Sequence, residues 1–287
     1  MKNKSKDSLR NAESALPSNR IQSFFDCLKS RLNTIFQCGL VFLFFSIPLI
    51  LISFLTNIAV YEVNLHFENN ELTAEAAALE IISLTNTSNL FRILAFLVIG
   101  VAISGLMRVF KNIVFQEPVF FFHDFSKGVK QNIKGVSLVM FLIGAYNFLF
   151  FLVVRSSYLN DDTFIASLII AILIAVYIVL LILSIFFLFQ TNIYELSVSA
   201  RLKNSVILFS KSIPKTLLAI FVLIAPWTLI LINNGVFHVI ILLVLFLIIA
   251  PLELLGLTEY MHYIFDRYIN KDNFIEIYRK GLENARD

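Results

Sequence analysis

Six long apolar stretches, parted by short polar segments, dominate the chain. They run over about 36–60, 91–110, 135–154, 164–189, 216–232 and 236–257. A helix needs about 20 apolar residues to cross ~30 Å of hydrocarbon, so each stretch predicts a transmembrane helix. The fourth, from Phe164 to Phe189, carries no charge and can span with tilt. Asn233-Asn234-Gly235 parts the last two spans and predicts a tight helical hairpin. The first span lies too far along and is too long for a cleaved signal h-region, so it reads as a retained anchor. Between the first two spans, Leu72, Ala76 and Leu79 share one helical face. This predicts a short external helix over Glu71–Ile82, resting on the bundle.

Charge orients these spans. All 23 Lys and Arg except Arg92 and Arg155 fall before span one, from the last residues of span two (Arg108) to span three, between spans four and five, or after span six. Cytoplasmic loops carry the Lys/Arg excess, so an even number of spans with both termini in the cytosol is expected. The connection from Tyr61 to Asn89 is acidic, with Glu62, Glu68, Glu71, Glu75 and Glu80. It reads either as a cation-collecting funnel or as a solvated connector. Composition agrees with the pattern: 58% of residues are hydrophobic and only 15% charged, against about 25% charged in a soluble domain. A soluble globular or disordered chain is excluded. The expected architecture is all-α and polytopic, with six transmembrane helices, N-in/C-in. Residues 1–20 read as a disordered basic cytosolic tail and 21–287 as one membrane domain. The plasma membrane of a bacterium is the expected location. The two cysteines, Cys27 and Cys38, read as packing thiols.

Three inward-facing connections share a pattern. They are Phe25-Asp26-Cys27-Leu28-Lys29-Ser30-Arg31, Asp124-Phe125-Ser126-Lys127-Gly128-Val129-Lys130, and Leu208-Phe209-Ser210-Lys211-Ser212-Ile213-Pro214-Lys215. In each, an aromatic precedes a pair of bases and an apolar span follows. This predicts short amphipathic elbow helices in the headgroup layer. Anionic inner-leaflet lipid attracts such bases at about 1 kcal/mol each. Phe125, Lys127, Lys130, Phe209, Lys211 and Lys215 are therefore candidate membrane-surface or partner contacts. The pattern reads as a loose threefold repeat, or as the common dressing of any membrane entry.

Few residues offer chemistry. Glu253 sits beside Pro251 in span six. Pro251 lacks an N–H, kinks the helix and frees a carbonyl, and an intramembrane carboxylate is a candidate functional group. Tyr146, Asn147 and His238 read as interhelical hydrogen bonders. Gly100 and Ser104 make a small-residue packing face; Pro48 and Pro226 read as kinks. Glu259, His262 and Asp266 share a helical face, which reads as solvated. A carboxylate-bundle metal site needs a second Glu-x-x-His pair and two further Glu, which the sequence lacks. No Walker loop, H-E-x-x-H or G-x-S-x-G occurs. Neither an enzyme, a cofactor nor a nucleic-acid partner is expected.

The stretch Phe44-Phe45-Ser46-Ile47-Pro48-Leu49 resembles the Ser-Leu-Pro motif in the first span of the YesL family, small polytopic proteins of Gram-positive bacteria. Phe120 to Leu138, with Asp124-Phe125 and Lys130-Gln131-Asn132-Ile133-Lys134, is similar to that family's first elbow. Ala200 to Ser205 and Ser212 to Leu217 resemble its second elbow. The likeness covers 40–225; the first 20 residues, the acidic connection and the C-terminal tail depart from it. It implies an accessory or regulatory role beside carbohydrate uptake, with a transporter subunit or sensor kinase as partner. It implies no catalytic residues. The alternative is a self-contained small permease or lipid-handling protein, for which Pro226 and Pro251, paired in the last hairpin, are the hint.

Overall fold

The computed structural model describes residues 16–158, 163–231 and 235–283. Its helices are α1 (Arg20–Ser30), α2 (Leu32–Glu68), α3 (Ala74–Val114), α4 (Phe121–Tyr158), α5 (Thr163–Ile193) and α6 (Val198–Ile224). A 3₁₀ segment, Ala225–Leu231, continues α6. The last span is built of α7 (Gly235–Val244), a π turn at Leu245–Ile249 and α8 (Ala250–Phe265). A second π turn, Asp266–Asn270, leads to the short α9 (Lys271–Asn273). The described residues hold no strand, and six helical segments are long and apolar enough to cross a membrane. The chain is an all-α, polytopic membrane protein.

The spans overrun their apolar stretches. α2 has 37 residues and α3 has 41, hence roughly 55 and 60 Å at 1.5 Å per residue. Hydrocarbon accounts for only about half of that. The remainder forms a hairpin over the acidic connection. The expected separate helix at Glu71–Ile82 is therefore corrected: from Ala74 onward it is the start of α3. No Gly or Pro interrupts the run from Ala74 to Arg92, so nothing stops the helix. The turn is defined by Asn70, with φ 59°, and by Thr73, whose hydroxyl accepts from the Ala76 N–H. Asn tolerates that left-handed backbone better than most residues.

Two of the three expected elbows break the helix. Arg31, between α1 and α2, has φ −123° and ψ 20°; Ser212, inside α6, has φ −127° and ψ 15°. Pro214 cannot donate to the Ser210 carbonyl, which loosens the ladder there. The Ser212 hydroxyl instead donates to the Leu208 carbonyl, 2.7 Å away. The second elbow is corrected: Phe121 to Lys134 are the opening turns of the unbroken α4.

Pro251 acts as its chemistry demands. Its absent N–H leaves the Leu247 carbonyl without its α-helical donor, and the preceding turn widens to π. That carbonyl lies against Gly39 of α2, where a Cβ would stand. The first and last spans thus meet backbone to backbone. α5 turns Ile165, Leu168, Ile172, Val176 and Val179 outward at helical spacing. This is a lipid-facing stripe. Tyr146 donates to the Leu173 carbonyl and Asn147 to the Tyr177 hydroxyl, so both join α4 to α5 as expected. Gly100 lies against Met140 of α4. The Asn233-Asn234 connection and the His238 side chain lie outside the described residues.

Candidate functional site

The strongest polar constellation lies where α1 rests on the end of the last span. Arg20 is buried, with Nη2 2.8 Å from Asp266 Oδ2 and Nη1 3.6 Å from Glu259 Oε2. The Ser23 hydroxyl donates to Glu259 Oε1. Asn270 Nδ2 donates to Asp266 Oδ1 at 2.8 Å, and the Tyr194 hydroxyl donates to Asn270. His262 is 1% exposed, and among the described residues neither ring nitrogen has a hydrogen-bond partner; its ring lies 4.7 Å from that of Phe115.

The reason is a match of spacings. Arg20, Ser23 and Cys27 stand at i, i+3 and i+7 on α1. Glu259, His262 and Asp266 stand at the same spacing on the last span. Two like-spaced faces therefore meet along one seam. The expectation of a solvated face at Glu259, His262 and Asp266 is corrected: all three are buried. The first fifteen residues of the expected tail lie outside the described residues. Arg20, assigned to that tail, is a buried partner, and Asn19 caps α1 by accepting from the Gln22 N–H. Cys27 is buried too and receives the Gln116 amide at 3.4 Å. Burial, with Glu259 nearby, pushes its thiol from 9.0 up to about 11.

Around this seam other polar groups close on one another. Asn132 of α4 donates to Asn192 at the end of α5 and to the Ser104 carbonyl of α3. Asn192 donates to the Met107 carbonyl. Gln190 reaches Ser205 of α6 at 3.0 Å. Asp124 lies 3.9 Å from Arg108 and receives the Phe120 N–H, while Lys280 pairs with Glu117. The segments rich in Lys and Arg thus gather at one end of the bundle. Four carboxylates there, Glu117, Asp124, Glu259 and Asp266, have cations within the chain.

The candidate residues fall into two separate places. Lys127, Lys130, Lys211 and Lys215 are exposed at the basic end. Lys215 donates to the Tyr263 hydroxyl at 2.7 Å, and Lys211 sits 5.7 Å above the Tyr268 ring. Phe125 is half-buried, packed on Gly105 and stacked with Phe121; Phe209 is half-buried against the core. Glu253 is elsewhere, roughly 9 Å deeper than Glu259 by helical rise. Both its oxygens accept from Trp227 Nε1, at 3.1 and 2.9 Å. Pro251 is buried two residues before it. The described residues hold no group of three or more His, Cys, Asp or Glu placed to bind a metal. Arg20, Tyr194 and Asn270 escaped the sequence reading; the repeated i, i+3, i+7 spacing is a signal for Arg20, whereas Tyr194 and Asn270 belong to neither triplet.

No family model, no curated protein and no solved structure matches the chain.

Proposed function

We propose that the protein is a non-enzymatic accessory or regulatory component of a larger membrane assembly. Its basic end faces the cytosol and meets anionic lipid and a partner subunit. The observation that carries this reading is the state of the charges there. Four carboxylates are engaged within the chain, whereas Lys127 and Lys130 stand exposed just after Phe120 and Phe122, which are 70% and 82% exposed, and Lys211 and Lys215 stand exposed against Tyr268 and Tyr263. Exposed bases interleaved with aromatics suit a membrane interface and an acidic partner. The YesL resemblance supplies the context of carbohydrate uptake in a bacterial cell membrane, with a transporter subunit or a sensor kinase as partner. Photo-crosslinking in cells from Phe122 and Lys130 tests it, with captured proteins identified by mass spectrometry. Recurrent capture of one such subunit supports the reading. Capture of lipid alone overturns it.

A second reading, a small permease or lipid-handling protein, rests on Glu253. It is a carboxylate within a span, whose described hydrogen-bond partner is the neutral Trp227 N–H. Intramembrane carboxylates are characteristic of substrate and proton pathways. Glu253→Gln abolishes flux if that reading holds and leaves an accessory role intact.

A further inference from the structure

At the opposite end of the bundle, α2, α3 and the end of α4 enclose two adjoining clefts of about 340 and 310 Å³. They share Thr56 and Ser88, whose hydroxyls are 2.8 Å apart. Arg92 lines the second cleft. Its guanidinium donates to Asn89 Oδ1 at 3.0 Å and grazes Ser53 Oγ at 3.5 Å. Among the described residues its buried Nε has no hydrogen-bond partner and no carboxylate pairs with it. A half-buried guanidinium whose partners among the described residues are all neutral retains capacity for an anion. This contrasts with Arg20, which meets two carboxylates at the other end.

The surroundings select the kind of anion. Arg92 opens the apolar stretch of α3, so it lies where hydrocarbon gives way to headgroups. Leu55, Phe91 and Phe151 border the clefts and are 62%, 52% and 43% exposed. A free anion has no use for such a margin. A phospholipid does, because its acyl chains lie along apolar side chains while its phosphate reaches inward. Bidentate pairing with phosphate is the characteristic chemistry of arginine, and the Thr56, Ser88 and Asn89 side chains supply further polar contacts.

We propose that the Arg92 cleft binds the phosphate of a phospholipid headgroup, with the acyl chains lying against Leu55, Phe91 and Phe151. The test is native mass spectrometry of the full chain purified in detergent and mixed with phosphatidylglycerol. One retained lipid is expected for the unaltered chain. Arg92→Gln lowers the retained fraction at least tenfold, and Glu68→Gln, an exposed position on α2 outside both clefts, leaves it unchanged. Ser83→Trp, an exposed position on the cleft wall, gives the same loss without touching the arginine, and so separates binding from misfolding. Equal retention by the unaltered chain and both cleft variants overturns the proposal. Displacement of the lipid by millimolar inorganic phosphate overturns it too, because the site then takes a free anion.

Discussion

The carbonyl oxygen of Leu247 occupies the place where a side chain on Gly39 would stand. Pro251 and Gly39 act as a pair across the first and last spans: one frees the carbonyl, the other lets it approach. Gly39→Ala therefore forces two backbones apart. Overpacking of this kind costs about 1–3 kcal/mol. A lowered melting temperature in detergent is expected, with partial recovery in Gly39→Ala/Pro251→Ala, where the Leu247 carbonyl regains its own donor.

Arg20 makes the sharpest stability prediction. Arg20→Met leaves Glu259 and Asp266 buried without their cation, and breaking a buried pair costs about 3–5 kcal/mol. Arg20→Met/Glu259→Met/Asp266→Leu removes all three charges and recovers most of that loss, because the desolvation cost goes with them. Thermal or denaturant unfolding of the two variants checks the order.

Neutral polar contacts weigh less. Asn192→Leu removes the bonds to Asn132 and to the Met107 carbonyl. Interhelical hydrogen bonds within membranes average about 0.6 kcal/mol, with a maximum near 1.7. The expected loss is well below that of Arg20→Met, measured in the same assay.

Cys27 gives the pH dependence. Its thiol ionises near 9.0 when unfolded and near 11 when buried. Between those values the unfolded chain holds fewer protons than the folded one. The stabilisation linked to this thiol is therefore complete below pH 9 and fades as the pH rises to 11. Melting temperatures across that window fall more steeply for the unaltered chain than for Cys27→Ala. Near neutral pH, maleimide labels Cys27 slowly in the folded protein and faster in Arg20→Met, where α1 opens more often.

Span number and spacing were legible because six apolar stretches of membrane length leave little choice. The ends of the helices were not. Hydropathy marks where lipid begins, whereas a helix ends where Asn70 or Thr73 supplies a turn or a cap. That difference hid the tall α2–α3 hairpin. The two broken elbows were legible as basic and aromatic clusters. The middle cluster has no proline between Phe121 and Lys134, and α4 runs through Gly128, which packs closely against Arg108 and the Gly105 carbonyl. The buried seam was least legible, because Glu259, His262 and Asp266 read as a wet surface until Arg20, far away in sequence, is brought against them.

That separation has a temporal side. Arg20 and Asp266 lie 246 positions apart, so the arginine leaves the ribosome roughly 12–50 s before its partner at 5–20 residues per second. During that interval α1 has no carboxylates to hold it, and its basic side chains remain with lipid headgroups and water. Docking of α1 is thus a late event that reports arrival of the final span. A nascent chain truncated before Glu259 leaves α1 unlatched, exposing a segment that quality-control proteases can grip.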